Sequence, residues 1–320
     1  MTNVITGKCS ALLNRHGGML PLLREYGIVR LLDGALREAW EAFGMRLLHR
    51  LGRGPRQPYS WLDALLSPTC DYWVRYTEVI TALEQAVPGT VRKVVEVSSG
   101  GRGGLAWALP GTTLDICLVD WSTQLLSDTR GGKAWRVCAD ACCLPFADDS
   151  FDAAVSLDTL EHLPHRLRAP FVNELRRIAK ASVIITCPVQ SADRVFQAQE
   201  FDLALHDQIE AQRGIQPRWL EEHIEQGHPT AEEVAQLLPG VQIRGSENCS
   251  SWLRFASFYQ RPFVWPLAGL FYLVFLRRYD GLPPHRHGLL VWQKPLGKQE
   301  EYKPAVHNVT LEESPGLCLR

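Results

Sequence analysis

From Lys93 onward, short apolar runs alternate with stretches of helical period, the pattern of strands joined by helical crossovers. The runs are Lys93–Val97, Leu114–Val119, Ala134–Cys138, Ala153–Leu157 and Ser182–Cys187. Nearly continuous apolar strands are covered on both faces, so these five predict a doubly wound, mostly parallel sheet with helices on either side. VQIRGSEN, residues 241–248, predicts a sixth strand, and HRHGLLVWQKP, residues 285–295, a final antiparallel one, which makes the sheet seven-stranded. Ahead of the sixth strand, Thr230 and Glu233 form a capping box, and Val234, Leu237 and Leu238 supply the buried face of the helix that follows.

The first third of the chain is helical. In DGALREAWEAFGMRLLHRLGRG, Leu36, Trp40, Phe43, Leu47 and Leu51 fall on one face, with Arg46, Arg50 and Arg53 on or near another. Such a helix either caps a core or lies on a membrane surface. RGPRQPYS breaks the pattern, and a second helix over Tyr72–Ala86 leads into the first strand. Phe263 to Leu276 is uncharged and mostly apolar, but its 14 residues fall short of the roughly 20 that span a bilayer. It predicts a helical insertion, either a buried hairpin or, with Trp265, Arg261, Arg277 and Arg278, a surface facing lipid or a greasy acceptor. The expected organisation is a helical region over 1–74, an α/β domain over 75–296 with its insertion at about 250–285, and a loosely ordered tail over 297–320.

Charge and composition narrow the function classes. Residues 1–60 hold nine Lys/Arg against four Asp/Glu, yet the whole 320-residue chain carries a net charge of −1, so it offers no general field for nucleic acid. The nine cysteines are scattered, with neither a Cys-x-x-Cys pair nor histidines at zinc spacing. Reduced thiols in a cytoplasm are expected, with peripheral contact at a membrane as an addition; the first 20 residues show no signal-peptide pattern. Oligomeric state is not legible.

Ligands of such sheets sit at the carboxyl ends of the strands. The first strand runs into VSSGGRGG, where glycine lets a ligand approach the backbone. Gly101, Gly103 and Ala106 spell G-x-G-x-x-A, and Asp120 follows 17 residues after Gly103, which suits a dinucleotide. S-adenosylmethionine would use the same turn for its methionine part and the same acid for its ribose. RVCADACCLPFADDSFDAAVSLDTLEHLP, residues 136–164, favours the second. With VVEVSSGGRGG and CLVDWS before it, this stretch closely resembles class I S-adenosylmethionine-dependent methyltransferases of the type 11-like kind, in order and spacing. PRWLEEHIEQGHPTAEEVAQLLPG is similar to a segment of a bacterial branch of that family. The resemblance implies a Rossmann-like methyltransferase domain in which Glu96, Ser98, Gly100 and Gly103 shape the cofactor turn, Asp120 binds ribose, and Asp140 with Ala141 faces adenine. Trp121 and Leu157, at the ends of the second and fourth strands, belong to the same cofactor set. The chain departs from the family at Ser98, where glycine is usual, and at Arg102, where the third glycine usually stands; Arg102 is expected to point outward, away from the sulfonium.

Methyl transfer by direct displacement needs an aligned nucleophile and a base. Asp158, Glu161 and His162 are spaced i, i+3 and i+4, hence on one face if a helix begins there. Asp158 and His162 are the candidate catalytic residues, with His223, beside Glu222, closing over the acceptor. D-x-x-E-H is similar to E-x-x-E-H of ubiquinone-pathway and small-RNA methyltransferases that hold a divalent ion, but a metal-free site is expected. Small molecules, glycans and lipid-linked intermediates stay open as acceptors. A non-catalytic cofactor-binding scaffold and, more distantly, an NAD(P)-dependent oxidoreductase are the alternatives.

Overall fold

A computed structural model describes residues 19–67, 69–86, 92–100, 104–127 and 133–295. Gly103, Arg102 and the tail from Gly297 lie outside the described residues. Helices α1 (Met19–Arg50), α2 (Trp61–Leu66) and α3 (Cys70–Ala86) precede β1 (Lys93–Val97). Next come α4 (Gly104–Ala108), β2 (Asp115–Asp120), α5 (Thr123–Leu126), β3 (Trp135–Cys138), β4 (Phe151–Leu157), α6 (His165–Ile178) and β5 (Ala179–Pro188). The chain continues through α7 (Ala198–Arg213), α8 (Arg218–Gln226), α9 (Ala231–Leu237), β6 (Gln242–Asn248), α10 (Cys249–Gln260), a short α11 (Ala268–Phe271) and β7 (His285–Gln293).

The seven strands form one sheet in the order β3-β2-β1-β4-β5-β7-β6. Five are mutually parallel, and β7 runs antiparallel between β5 and β6. The order reverses at β1, between β2 and β4, so a crevice opens at the carboxyl ends of these strands. Both faces are covered, as the apolar runs require. Phe171, Leu175 and Ile178 of α6 pack on one side with Val234 of α9; Tyr76, Val79, Ile80 and Leu83 of α3 pack on the other with Leu105.

A third core has no sheet in it. Leu48 of α1, Trp73 of α3, Phe201 of α7, Trp252 of α10 and Tyr272 of the insertion pack together, joining the N-terminal helices and the insertion into one helical layer. Position 74/75, expected as a boundary, therefore lies inside α3, which serves both the sheet and this layer.

The α1 face singled out by its apolar stripe is not the buried one. Leu36, Phe43 and Leu51 are about half exposed and Trp40 is 41% exposed, whereas Asp33, Arg37, Gly44 and Leu48 face inward. The reason is polar. Arg37 pairs with Asp33 at 2.7 Å and donates to the Tyr259 and Arg261 carbonyls, while Asp33 accepts from Phe263 N–H and Trp265 Nε1. Burying these groups is tolerated because each is paired, and the network carries α1 against the insertion. Arg53 also leaves the basic face, since it binds the fully buried Asp63. Within Phe263–Leu276, Trp265, Ala268, Tyr272 and Leu276 are core while Phe263, Leu267, Val274 and Phe275 are exposed, so the insertion is amphipathic.

Candidate functional site

The glycine turn after β1 is held by Glu96. Its carboxylate, 1% exposed, accepts from Tyr76 OH at 2.6 Å and from Leu105 N–H. Burial raises its pKa to about 7, against the pull of those two hydrogen bonds. Gly104, with φ at +50°, must be glycine, because a Cβ there would run into Glu96 Oε2. Tyr72 OH donates to the Gly104 carbonyl at 2.9 Å, so two tyrosines one turn apart on α3 brace the turn. Ser98 takes the left-handed φ of +63° that glycine adopts more easily, which explains why glycine suits this position. Gly100 also has φ at +63°, with nothing within 4 Å of where a Cβ would stand.

Asp120, buried at the end of β2, accepts from Gly100 N–H and Ser122 N–H, both at 3.0 Å. It thus ties the turn to the second strand end. Trp121 beside it is 80% exposed. The Ala139 N–H reaches the Asp120 carbonyl at 3.1 Å, which brings Asp140 and Ala141 to the same edge; Asp140 accepts from Cys142 N–H at 2.8 Å and is exposed. Leu157 is half-buried at the end of β4, next to β1. The expected cofactor residues among those described, all but Gly103, therefore sit at one sheet edge. Open backbone at Gly100, a buried acid one strand away and a bare aromatic face fit S-adenosylmethionine.

The second half of the site is a cavity of about 430 Å³ beyond β4 and β5, lined at one end by Asp158, Glu161, His162, His223 and His287. A single 3₁₀ turn, Leu160–His162, follows β4 instead of the helix that i, i+3, i+4 spacing assumed. Asp158 sits at φ +49° and meets Arg75, with His287 Nε2 at 3.4 Å. Turning at Asp158 lets Glu161 tuck inward, 1% exposed, with Oε2 lacking a hydrogen-bond partner; burial pushes its pKa up to about 8.

His223 closes over this floor from α8. Asp202, on α7, binds His223 Nδ1 and His228 Nε2, each at 2.8 Å. Burial disfavours the Asp202 anion, but these two hydrogen bonds outweigh it and hold its pKa at about 2. An ionised Asp202 only accepts, so His223 carries its proton on Nδ1 and turns a bare Nε2 toward His162 Nε2, 3.2 Å away. His162 Nδ1 lies 3.4 Å from Glu222 Oε2. Burial and then His223 depress the His162 pKa. Glu161, His162 and His223 offer ligand atoms within 4.8 Å of one another, as do Asp202, His223 and His228; a divalent ion could be held at either.

Asp158, His162 and His223, the candidates from the sequence, come together at one cavity, with supporting residues the sequence did not single out. Asp202, Arg75, His228 and His287 come from four separate segments, and only His228 falls in a stretch quoted for the family likeness. Only Tyr72 and Tyr76 left a trace, as an i, i+4 pair before the first strand.

Residues 95–187 match the family model described as a methyltransferase domain. This region is a class I methyltransferase domain. No curated protein matches the chain significantly. Among solved structures the methyltransferase domain is similar to a protein from Pyrococcus horikoshii at 21% identity, over 37% of this chain and 54% of that one, with a TM-score of 0.33. A phosphoethanolamine N-methyltransferase of Haemonchus contortus is 15% identical over 69% of this chain and 53% of that one, with a TM-score of 0.44. A SAM-dependent methyltransferase of Thermotoga maritima is 16% identical over 69% and 89%, with a TM-score of 0.42. The chain spans about half the length of the first two. Among the described residues, no helix is long and apolar enough to cross a membrane.

Proposed function

We propose that the protein transfers a methyl group from S-adenosylmethionine to an acceptor seated in the cavity between α7 and α10. The observation that carries this reading is that Gly100 and Asp120 stand at the carboxyl ends of β1 and β2 while the His162–His223 pair follows β4, the strand next to β1. When bound, the cofactor supplies a methyl group on a sulfonium, already attached to a good leaving group. Asp120 and the turn at Ser98–Gly100 would hold its ribose and methionine parts, and Trp121, Asp140, Ala141 and Leu157 its adenine side. What remains for the protein is alignment of the acceptor and removal of its proton.

His223 Nε2 is the accepting atom: Asp202 fixes the tautomer and stabilises the imidazolium that forms, the orienting role a carboxylate gives histidine. His162 shares that proton across 3.2 Å. Asp158, pinned by Arg75, lines the floor with His287 alongside and orients the reacting group. Calorimetry with S-adenosylhomocysteine tests the cofactor half; no binding by the wild type would sink the reading.

The proposal extends to place. The exposed stripe of Leu36, Trp40 and Phe43, with exposed Arg46 and Arg50, suits the surface of an anionic bilayer. Salt-sensitive co-sedimentation with anionic vesicles supports it, and recovery in the supernatant at every salt concentration removes it.

A further inference from the structure

The cavity has a second end whose chemistry names the class of acceptor. Phe201, Leu205 and Ile209 recur every fourth residue along α7, and Trp252, Phe255 and Tyr259 recur at three and four along α10. These two stripes face each other across the cavity. Gln212 Nε2 to Ser257 Oγ at 3.0 Å and Arg213 to Gln260 Oε1 at 3.3 Å clasp the two helices farther along. Seven or eight helical residues span about 10–12 Å, which sets the length of the slot.

The polar atoms of this wall are committed elsewhere. Trp252 Nε1 donates to Asp280 Oδ1 at 3.1 Å, and Tyr259 OH to Glu41 Oε1 at 2.8 Å. Both rings therefore offer carbon to the slot, and a polyhydroxylated ligand would lose its water shell there without replacement hydrogen bonds.

The other end is polar, and its cations are already paired. The two lining arginines already have carboxylates: Arg75 binds Asp71 and Asp158, and Arg286 binds Glu247. A phosphate or carboxylate head would meet committed cations and the Asp158 anion.

We infer that the acceptor is an uncharged amphiphile, with an apolar chain or ring system about 10 Å long in the α7–α10 slot and one neutral hydroxyl or amine at the histidine end. This rests on the methyl-transfer reading and makes it specific, setting glycans and phosphate-headed lipids aside.

The test uses the full chain saturated with S-adenosylhomocysteine and the neutral fluorescent probe N-phenyl-1-naphthylamine. The probe should bind at one saturable site. 1-Decanol should displace it, 1-hexanol should do so more weakly by about threefold per methylene removed, and neither methyl glucoside nor decyl phosphate should match 1-decanol. Phe255→Gln and, independently, Ile209→Gln should weaken probe and decanol binding about fivefold or more, with S-adenosylhomocysteine affinity unchanged within twofold as the check of folding. Absence of saturable binding, better displacement by methyl glucoside or decyl phosphate, or unchanged binding in both variants would overturn the inference. Decanol binding without S-adenosylhomocysteine binding would instead leave the slot standing and remove the methyltransferase reading.

Discussion

Glu96 and Glu161 are the same residue type at the same burial, 1% exposed, one behind the turn after β1 and one on the floor of the cavity. Glu96 is saturated by Tyr76 OH and Leu105 N–H, whereas Glu161 leaves Oε2 without a partner. A buried carboxylate with every bond made is scaffold; one with an oxygen left over, beside the His162–His223 pair, is where a reacting group fits. The contrast separates a turn built for rigidity from a floor built for exchange.

The largest expected effect lies on the cavity side. His223→Ala should lower kcat with an accepted acceptor by about 10²–10⁴-fold and leave S-adenosylhomocysteine affinity within twofold. Equal losses in turnover and cofactor affinity would erase the division between the two regions. Asp202→Asn should lower turnover less than His223→Ala, because it frees the tautomer of His223 without removing the ring, and unchanged turnover would count against that orienting role.

On the turn side, Gly104→Ala should destabilise the fold by about 2–3 kcal/mol, through a strained φ and collision with Glu96, as measured by urea denaturation. An unchanged midpoint would mean that Glu96 is not held as described.

A smaller effect concerns pH. Glu96 and Glu161 have folded pKa values of about 7 and about 8, raised from the ordinary 4.5, so the folded state binds the extra proton. The stability they contribute is full below about pH 4.5 and is lost as pH rises through 7 and 8. Glu161→Gln should flatten the upper part of that decline by about 1 kcal/mol or more, and an unaltered slope between pH 6 and 8.5 would count against its buried, unpaired state. The smallest expected effect is that of EDTA, which should leave methyl transfer unchanged; loss of activity restored by magnesium or zinc would assign an ion to Glu161, His162 and His223.

The two regions also differ in how far they could be read from the chain. The turn, Asp120 and Asp140 lie close together in the chain at the ends of strands with clear apolar runs, so Glu96, Gly100, Asp120 and Asp140 could be nominated from short motifs and the family resemblance they carry. The fold followed from the same runs, down to the antiparallel β7. The cavity is long-range: Arg75, Asp158, Asp202, His223 and His287 belong to five segments, and their meeting depends on helix packing that no local period encodes. The core-capping reading of the α1 stripe failed for a related reason, since the ion pair of Asp33 and Arg37 decides the buried face and hydrophobic period does not see it. Gly104 was overlooked because four glycines between 100 and 104 look alike until one is found against a carboxylate.

The central claim is that the β1 turn and Asp120 hold S-adenosylmethionine. Calorimetric titration of wild type and Asp120→Ala with S-adenosylhomocysteine tests it most directly. The account predicts one binding site in the wild type and at least about tenfold weaker binding in the variant, from loss of a charge-assisted hydrogen bond. Equal affinities would remove Asp120 from the site, and no heat of binding in the wild type would contradict the account.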